Sequence, residues 1–368
     1  MSNTNTGTNE RGIRRVNQDH PRLRKLLSVQ VNPVVILLWV VLFLFLAFAP
    51  RFVGAALETD LALLMLWICL AESFNLFTGL TGYVNFGMVA FYGIGGYGLA
   101  MATTLWNMLP LEGVLLGGIF SALLALGMSF PTLRLRGAYF AIATLGIEQA
   151  IFVIFDNWNY VNSATGLTLP IRDYQPTQVY YTMLIVTAAT VFTLTIIMRS
   201  KLGMALSAIR QQEETALSIG VNATLYKTMA FVLSGFFAGL GGATWFWGVT
   251  IIDPPGAFDT TVTLTVISMA MLGGLGTLFG PVLGAAILYY VENSVRANYA
   301  NLHLVIFGII IVVVVLIVPE GIIGFVMKRF RGFSLSRMGL SRSRSGESAG
   351  SRAQYVSTQK KEEDKIRP

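Results

Sequence analysis

Residues 199–227 read RSKLGMALSAIRQQEETALSIGVNATLYK, and the place of this stretch in the chain decides the fold. It is polar and helix-compatible along almost its whole length. On either side lie apolar runs, near 178–198 and 228–250, each long enough to cross a hydrocarbon core as helix. Inside the stretch Leu202, Leu206, Ile209 and Ala216 fall near one helical stripe, and Arg210, Gln211, Gln212, Glu213 and Glu214 form a charged belt at its centre. Gly220 suits a helix C-cap, and Asn222 suits the N-cap of the following span. A polar helix between two spans is either a plain amphipathic connection or a lever that a partner moves, and the pattern leaves both open.

Outward from it, the whole chain reads as membrane protein. Of 368 residues 54% are hydrophobic and only 12% charged, and the mean hydropathy is +0.64. Soluble domains carry about a quarter charged residues. Apolar segments lie near 33–50, 61–78, 83–105, 113–131, 138–155, 178–198, 228–250, 261–275, 279–294 and 303–318. The expectation is an all-α polytopic membrane protein of about ten transmembrane helices. The run 261–294 reads as two crossings or as one crossing plus a re-entrant hairpin. A β-barrel would alternate apolar and polar residues, whereas Ile309–Val318 is continuously apolar.

Charge sets the orientation. With both termini inside, 23 of the 26 Lys and Arg fall on the inner face, leaving Arg51, Arg172 and Arg296 outside. The reverse orientation would put the same 23 on the wrong side. The domain reading is a cytoplasmic N-terminal tail at 1–32, a transmembrane domain at 33–327 with a cytoplasmic loop at 199–227, and a disordered cytoplasmic tail at 328–368. That tail is rich in Ser, Arg, Lys and Glu, and its basic residues suit contact with anionic membrane lipid. Ala47-Phe48-Ala49 resembles a signal-peptidase site, but the polar segment before it is too long and Pro50 would follow the cut. The first span is expected to stay uncleaved.

The net charge of +7 is accounted for by the inner loops and tails and does not point to nucleic acid. The single cysteine, Cys69, excludes an intrachain disulfide, no Cys/His spacing suggests a metal, and no P-loop is present. No nucleophile–base pair stands out, so no catalytic residue and no cofactor is expected, and the chain does not read as an enzyme.

Two glycine-dense stretches interrupt the apolar pattern: GLTGYVNFGMVAFYGIGGYG at 79–98 and GGLGTLFGPVLG at 273–284. Such density permits broken or half-length helices, which hydrocarbon tolerates only where protein or a watery cavity covers the freed backbone. Paired interruptions point to a central pathway, and close helix packing is the competing explanation. Both stretches carry Gly-x-x-Gly followed by Phe-Gly, at Gly79/Gly82/Phe86-Gly87 and Gly273/Gly276/Phe279-Gly280, which suggests an internal repeat. Ionisable groups at membrane depth are Glu72, Glu148, Glu292 and His303. Glu148 is the most deeply placed. Candidate pathway positions are Asn75, Asn85, Gly87, Gly95, Glu148, Gly273, Gly274 and Gly276.

Several blocks resemble the branched-chain amino-acid ABC transporter permease family, LivM type. They are NLFTGLTGYVNFGMVAFYGIGGY at 75–97, RLRGAYFAIATL at 134–145, 203–227 with Ala208-Ile209-Arg210, LGGLGTLFGPVL at 272–283 and PEGIIG at 319–324. Glu214-Thr215-Ala216 with Gly220 is similar to the Glu-Ala-Ala-x-x-x-Gly loop of ABC importer permeases. The chain departs from the family at Met88, where His is frequent, and in its long Ser/Arg tail. The resemblance implies an importer permease of a prokaryotic plasma membrane, working by alternating access on branched-chain or related hydrophobic amino acids. It implies a second, LivH-like permease, two ATP-binding cassette subunits and an extracytoplasmic substrate-binding protein. Ala208, Arg210, Glu213, Glu214, Ala216 and Gly220 would then couple the loop to an ATPase. A urea or short-amide ABC permease is the nearest alternative, and an autonomous secondary transporter or channel a further one.

Overall fold

The computed structural model describes residues 33–52, 54–170 and 176–298, together with 305, 308–309 and 321–323. Both expected tails, Arg172, His303 and the tenth apolar segment apart from three positions lie outside these. The order is α1 (Pro33–Phe48), α2 (Ala55–Phe74), a π-turn at Asn75–Gly79, α3 (Met88–Thr104), α4 (Pro110–Thr132) and α5 (Ala138–Asn157). There follow β1 (Leu167–Thr168), α6 (Pro176–Ile197), α7 (Lys201–Gln211), α8 (Glu213–Ser218), α9 (Ala223–Val249), β2 (Ile251–Ile252), α10 (Pro254–Ala257), α11 (Thr260–Gly273) and α12 (Gly280–Asn298). Each of the first nine apolar segments coincides with one helix or more. Among the described residues six helical stretches are long and apolar enough to cross a membrane.

The chain divides into two compact units, Met1–Thr263 and Leu264–Pro368. In the first, α9 packs against α3 and α4 by way of glycine. A Cβ on Gly95 would strike the carbonyl of Gly239, one on Gly239 would strike Ser121, and one on Gly242 would strike the carbonyl of Tyr92. Backbone can approach backbone here because no side chain stands between them. Buried hydroxyls satisfy themselves on their own helices: Thr190, Thr195 and Thr244 each donate to the carbonyl four residues earlier. That arrangement needs no water. The outer face of α4 is a stripe of exposed Leu111, Leu115, Ile119, Leu123, Leu126 and Phe130, as a lipid-facing helix presents.

The loops sort to two ends of this unit. At one, β1 pairs antiparallel with β2, Leu167 opposite Ile252, and Tyr180 donates to the carbonyl of Leu46 at 2.7 Å. At the other, the segments near 79–87, 134–138 and 201–218 meet. The 79–98 stretch is broken only at its start. The chain opens into the π-turn, reverses at Gly82 with φ +80°, and from Met88 runs as unbroken α3.

In the second unit the glycines of 273–284 make a tight turn between α11 and α12. Gly274 and Gly276 have φ of +115° and +79°, values that suit glycine. Thr277 Oγ1 donates to the Gly274 carbonyl at 2.8 Å and accepts from Gly280 N–H at 3.1 Å. Gly284 lies against Met269 and Gly273, so the two helices touch backbone to backbone.

Candidate functional site

The loop is built from local signals. Ser200 caps α7, its hydroxyl accepting from Gly203 N–H at 3.4 Å. The helix does not continue through the loop, as a single lever would require. Gln212 is extended (φ −161°, ψ 105°) and divides the segment into α7 and α8. Gly220 closes α8 with φ +85°, while Val221 N–H reaches back to the Ala216 carbonyl at 3.0 Å, a hydrogen-bond pattern of glycine-terminated helices. Asn222 accepts from Leu225 N–H at 3.1 Å and starts α9. The span therefore begins earlier than the apolar run suggested, and Lys227 lies inside its first turns. Leu206, Ile209 and Ala216 are buried, and Arg210 and Glu214 remain on the outer side.

The charged belt is tied to the break between α2 and α3. Arg210 Nη1 donates to the Gly79 carbonyl at 2.6 Å, at the last residue of the π-turn, where a widened helix leaves carbonyls in need of donors. Glu213 accepts from Tyr83 Oη at 2.6 Å and from Lys227 Nζ at 2.8 Å. The Lys227 ammonium also stands 4.5 Å from the centre of the Tyr83 ring, within cation–π range. Burial alone would raise the Glu213 carboxyl. The hydrogen bonds from Lys227 and Tyr83, with the charges of Lys227 and Arg136, outweigh it and hold the group below its ordinary range. Arg136 pairs with Glu214 at 3.1 Å in the open, with side chains 61% and 74% exposed. Beneath the network Phe77, Phe140, Phe231 and Tyr83 pack ring against ring, with Phe77 and Phe231 centres 4.8 Å apart.

Two hollows flank the loop. One, of about 590 Å³, lies between the break and the loop and is lined by Tyr83, Phe86, Arg136, Arg210, Glu213 and Glu214 among others. The second, of about 720 Å³, is a groove across α7 and α8 lined by Met204, Ala208, Thr215, Ala216 and Ile219 among others. The arrangement can transmit force, since a load on α7 or α8 reaches Gly79 through Arg210 and Tyr83 through Glu213. Among the described residues no group of three His, Cys, Asp or Glu is placed to hold a metal.

The remaining sequence candidates separate. Asn75 is buried in the π-turn and donates to Glu72 at 3.3 Å. Asn85 is buried, accepts from Gly87 N–H at 3.0 Å and leaves its Nδ2 without a partner. A Cβ on Gly87 would stand 2.7 Å from the Thr144 carbonyl of α5. Gly95 sits at the α3–α9 crossing, where its lack of a side chain serves packing. Glu148 is buried in α5. Gly273, Gly274 and Gly276 belong to the second unit. Tyr83, Lys227 and the Gly79 carbonyl complete the network, and no sequence pattern marks them as its members. Their partners lie 130, 14 and 131 residues away, and spacing carries no signal at such distances.

A family model described as branched-chain amino acid transport system / permease component matches residues 56–315. The chain is 27% identical over 323 residues to the high-affinity branched-chain amino acid transport system permease protein LivM of Salmonella typhimurium, covering 78% of this chain and 74% of that protein. It is 24% identical over 284 residues to the permease protein BraD of Pseudomonas aeruginosa, 69% of this chain and 90% of that one. To the permease protein LivH of Salmonella typhimurium it is 25% identical over 282 residues, again 69% and 90%. No solved structure matches the chain at significance.

Proposed function

We propose, on the premise that this chain belongs to the branched-chain amino acid transport system permease component family, that it is the membrane-spanning subunit of an ABC importer for branched-chain or related hydrophobic amino acids. A second, LivH-like permease completes the translocation path. Two ATP-binding cassette subunits drive it, and an extracytoplasmic binding protein delivers the solute. The chain sits in a prokaryotic plasma membrane with both termini inside, crossing about ten times, its tails at 1–32 and 328–368 cytoplasmic. The grouping of 79–87, 134–138 and 201–218 at one end supports this topology, because alternation puts all three on the inner face. Gly82 and Gly276, the fourth residues of the two Gly-x-x-Gly motifs, share a φ near +80°, which supports the internal repeat.

One observation carries the mechanism: the loop that would meet an ATPase is hydrogen-bonded to the connection between α2 and α3, Arg210 to Gly79 and Glu213 to Tyr83. Glu214 and the half-exposed Ala208 lie on the outward side of the same loop, Ala216 is buried under it and Gly220 makes its turn. An ATPase that shifted α7 and α8 on nucleotide binding would move the 79–87 segment with them, biasing the cavity between outward- and inward-facing states. In the reconstituted four-part complex of two permeases and two ATP-binding subunits, supplied with the binding protein, Glu214→Arg is expected to abolish ATP-driven leucine uptake while the subunit remains in the membrane. Glu214 is 74% exposed, so the change leaves the packed body intact. Normal uptake by this variant at normal protein level would refute ATPase docking on the loop.

A further inference from the structure

Unlike the unbroken apolar stripe of α4, the outward stripe of α5 is interrupted. Tyr139, Ile142, Leu145, Val153 and Ile154 are exposed along it, but so is Gln149, near the middle of a 20-residue helix. An amide facing hydrocarbon at that depth would lose its hydrogen-bonding partners, so a polar group there faces protein or water. Gln149 Nε2 donates to Glu148 Oε2 at 3.0 Å and to Thr260 Oγ1 at 3.2 Å. Glu148 is wholly buried, and its other oxygen, Oε1, has no hydrogen-bond partner.

Thr260 opens α11. The helical run of α10 and α11 is interrupted at Phe258-Asp259, so a helix start is brought beside the middle of α5. Asp259 caps that start, its Oδ1 accepting from Thr261 N–H at 2.9 Å and its carbonyl from Val262 N–H at 3.0 Å. The helix dipole is thus already met by a carboxylate of the chain. What remains is rich in acceptors: the bare Glu148 oxygen, the Asp259 carboxylate, the Gln149 carbonyl and the Thr260 hydroxyl. A buried carboxylate oxygen without a donor is costly, and a group bringing several N–H donors and a positive charge would satisfy it.

We propose that Glu148, Gln149, Asp259 and Thr260 form a mid-span site for the ammonium group of the transported amino acid. An ammonium offers three donors and no acceptor, matching a site that offers acceptors. That the ammonium belongs to an amino acid rests on the permease reading. The acceptor cluster at an interrupted span does not.

The sole cysteine of this chain, Cys69, is fully buried, so Gln149→Cys gives the chain one accessible thiol, read against the background labelling of the complex without it. In vesicles holding the four-part complex, this thiol is expected to react with cationic aminoethyl methanethiosulfonate at least about tenfold faster than with the anionic sulfonatoethyl reagent, after each rate is divided by that on a free thiol. Glu148→Gln in the same background removes most of the preference, and leucine with its binding protein slows the reaction. An unreactive thiol, equal rates, or a preference untouched by Glu148→Gln overturns the site. So does a thiol that leucine fails to protect in vesicles whose wild-type complex takes up leucine. Failure of that wild-type uptake would instead sink the permease reading, and the reagent preference would still decide the acceptor site.

Discussion

Glu213 is held by donors from two other elements, Tyr83 before α3 and Lys227 in α9, and this convergence makes Lys227 the most consequential charged side chain near the loop. Its side chain is 2% exposed and that of Glu213 is 18%. A charge so enclosed is stable only while paired. Lys227→Met leaves the Glu213 carboxylate half-buried with only the Tyr83 hydroxyl. In detergent melts it is expected to cost roughly 2–3 kcal/mol, while adding Glu213→Leu restores most of the loss, because removing both charges of a buried pair is far cheaper than removing one. A double-mutant cycle reads the coupling directly, and additive effects would mean that the pair is not enclosed as described.

At the scale of elements, glycine serves two different ends in this chain, and the structure separates them. Gly95, Gly117 and Gly239 lie where α3, α4 and α9 cross, with a neighbour's atoms in the place of every absent Cβ. Gly127 lies on the open face of α4 with nothing within 4 Å of that place. Gly95→Val is therefore expected to prevent assembly of the bundle, seen as loss of folded protein on size-exclusion chromatography. Gly127→Ala is expected to raise stability by up to about 1 kcal/mol through helix propensity alone. Equal tolerance of both changes would contradict the crossing. The same scale explains the loop: the extended backbone at Gln212 lets α8 turn away from α7, so that Glu213 points back to α9 while Glu214 pairs outward with Arg136.

For the whole molecule the orientation has the widest consequences, because under the proposed function it decides which face would meet an ATPase and which a binding protein. With Cys69 buried, Ala164→Cys and Gln211→Cys each supply one exposed thiol, at opposite ends of the first unit. An impermeant maleimide added to intact cells is expected to label position 164 alone, and inverted vesicles to expose position 211. Labelling of both from one side would overturn the topology argued from charge.

The sequence by itself was sufficient for the helical membrane class, nine of the helices, the loop's caps at Gly220 and Asn222, and the family. Each of these follows from runs of apolar residues, from neighbours a few positions apart, or from ordered motifs. It also marked the glycine stretches without distinguishing their work: the early one is a break followed by an unbroken packed helix, the later one a turn with positive φ. Only the tertiary structure showed that Arg210 reaches Gly79, that Glu213 lies between Tyr83 and Lys227, that the loop bends at Gln212, and that Gln149 meets Thr260. Those contacts join residues up to 131 positions apart. They exist because glycine lets helix backbones approach and brings buried polar groups within reach of partners they must find, a constraint that no periodicity along the chain records.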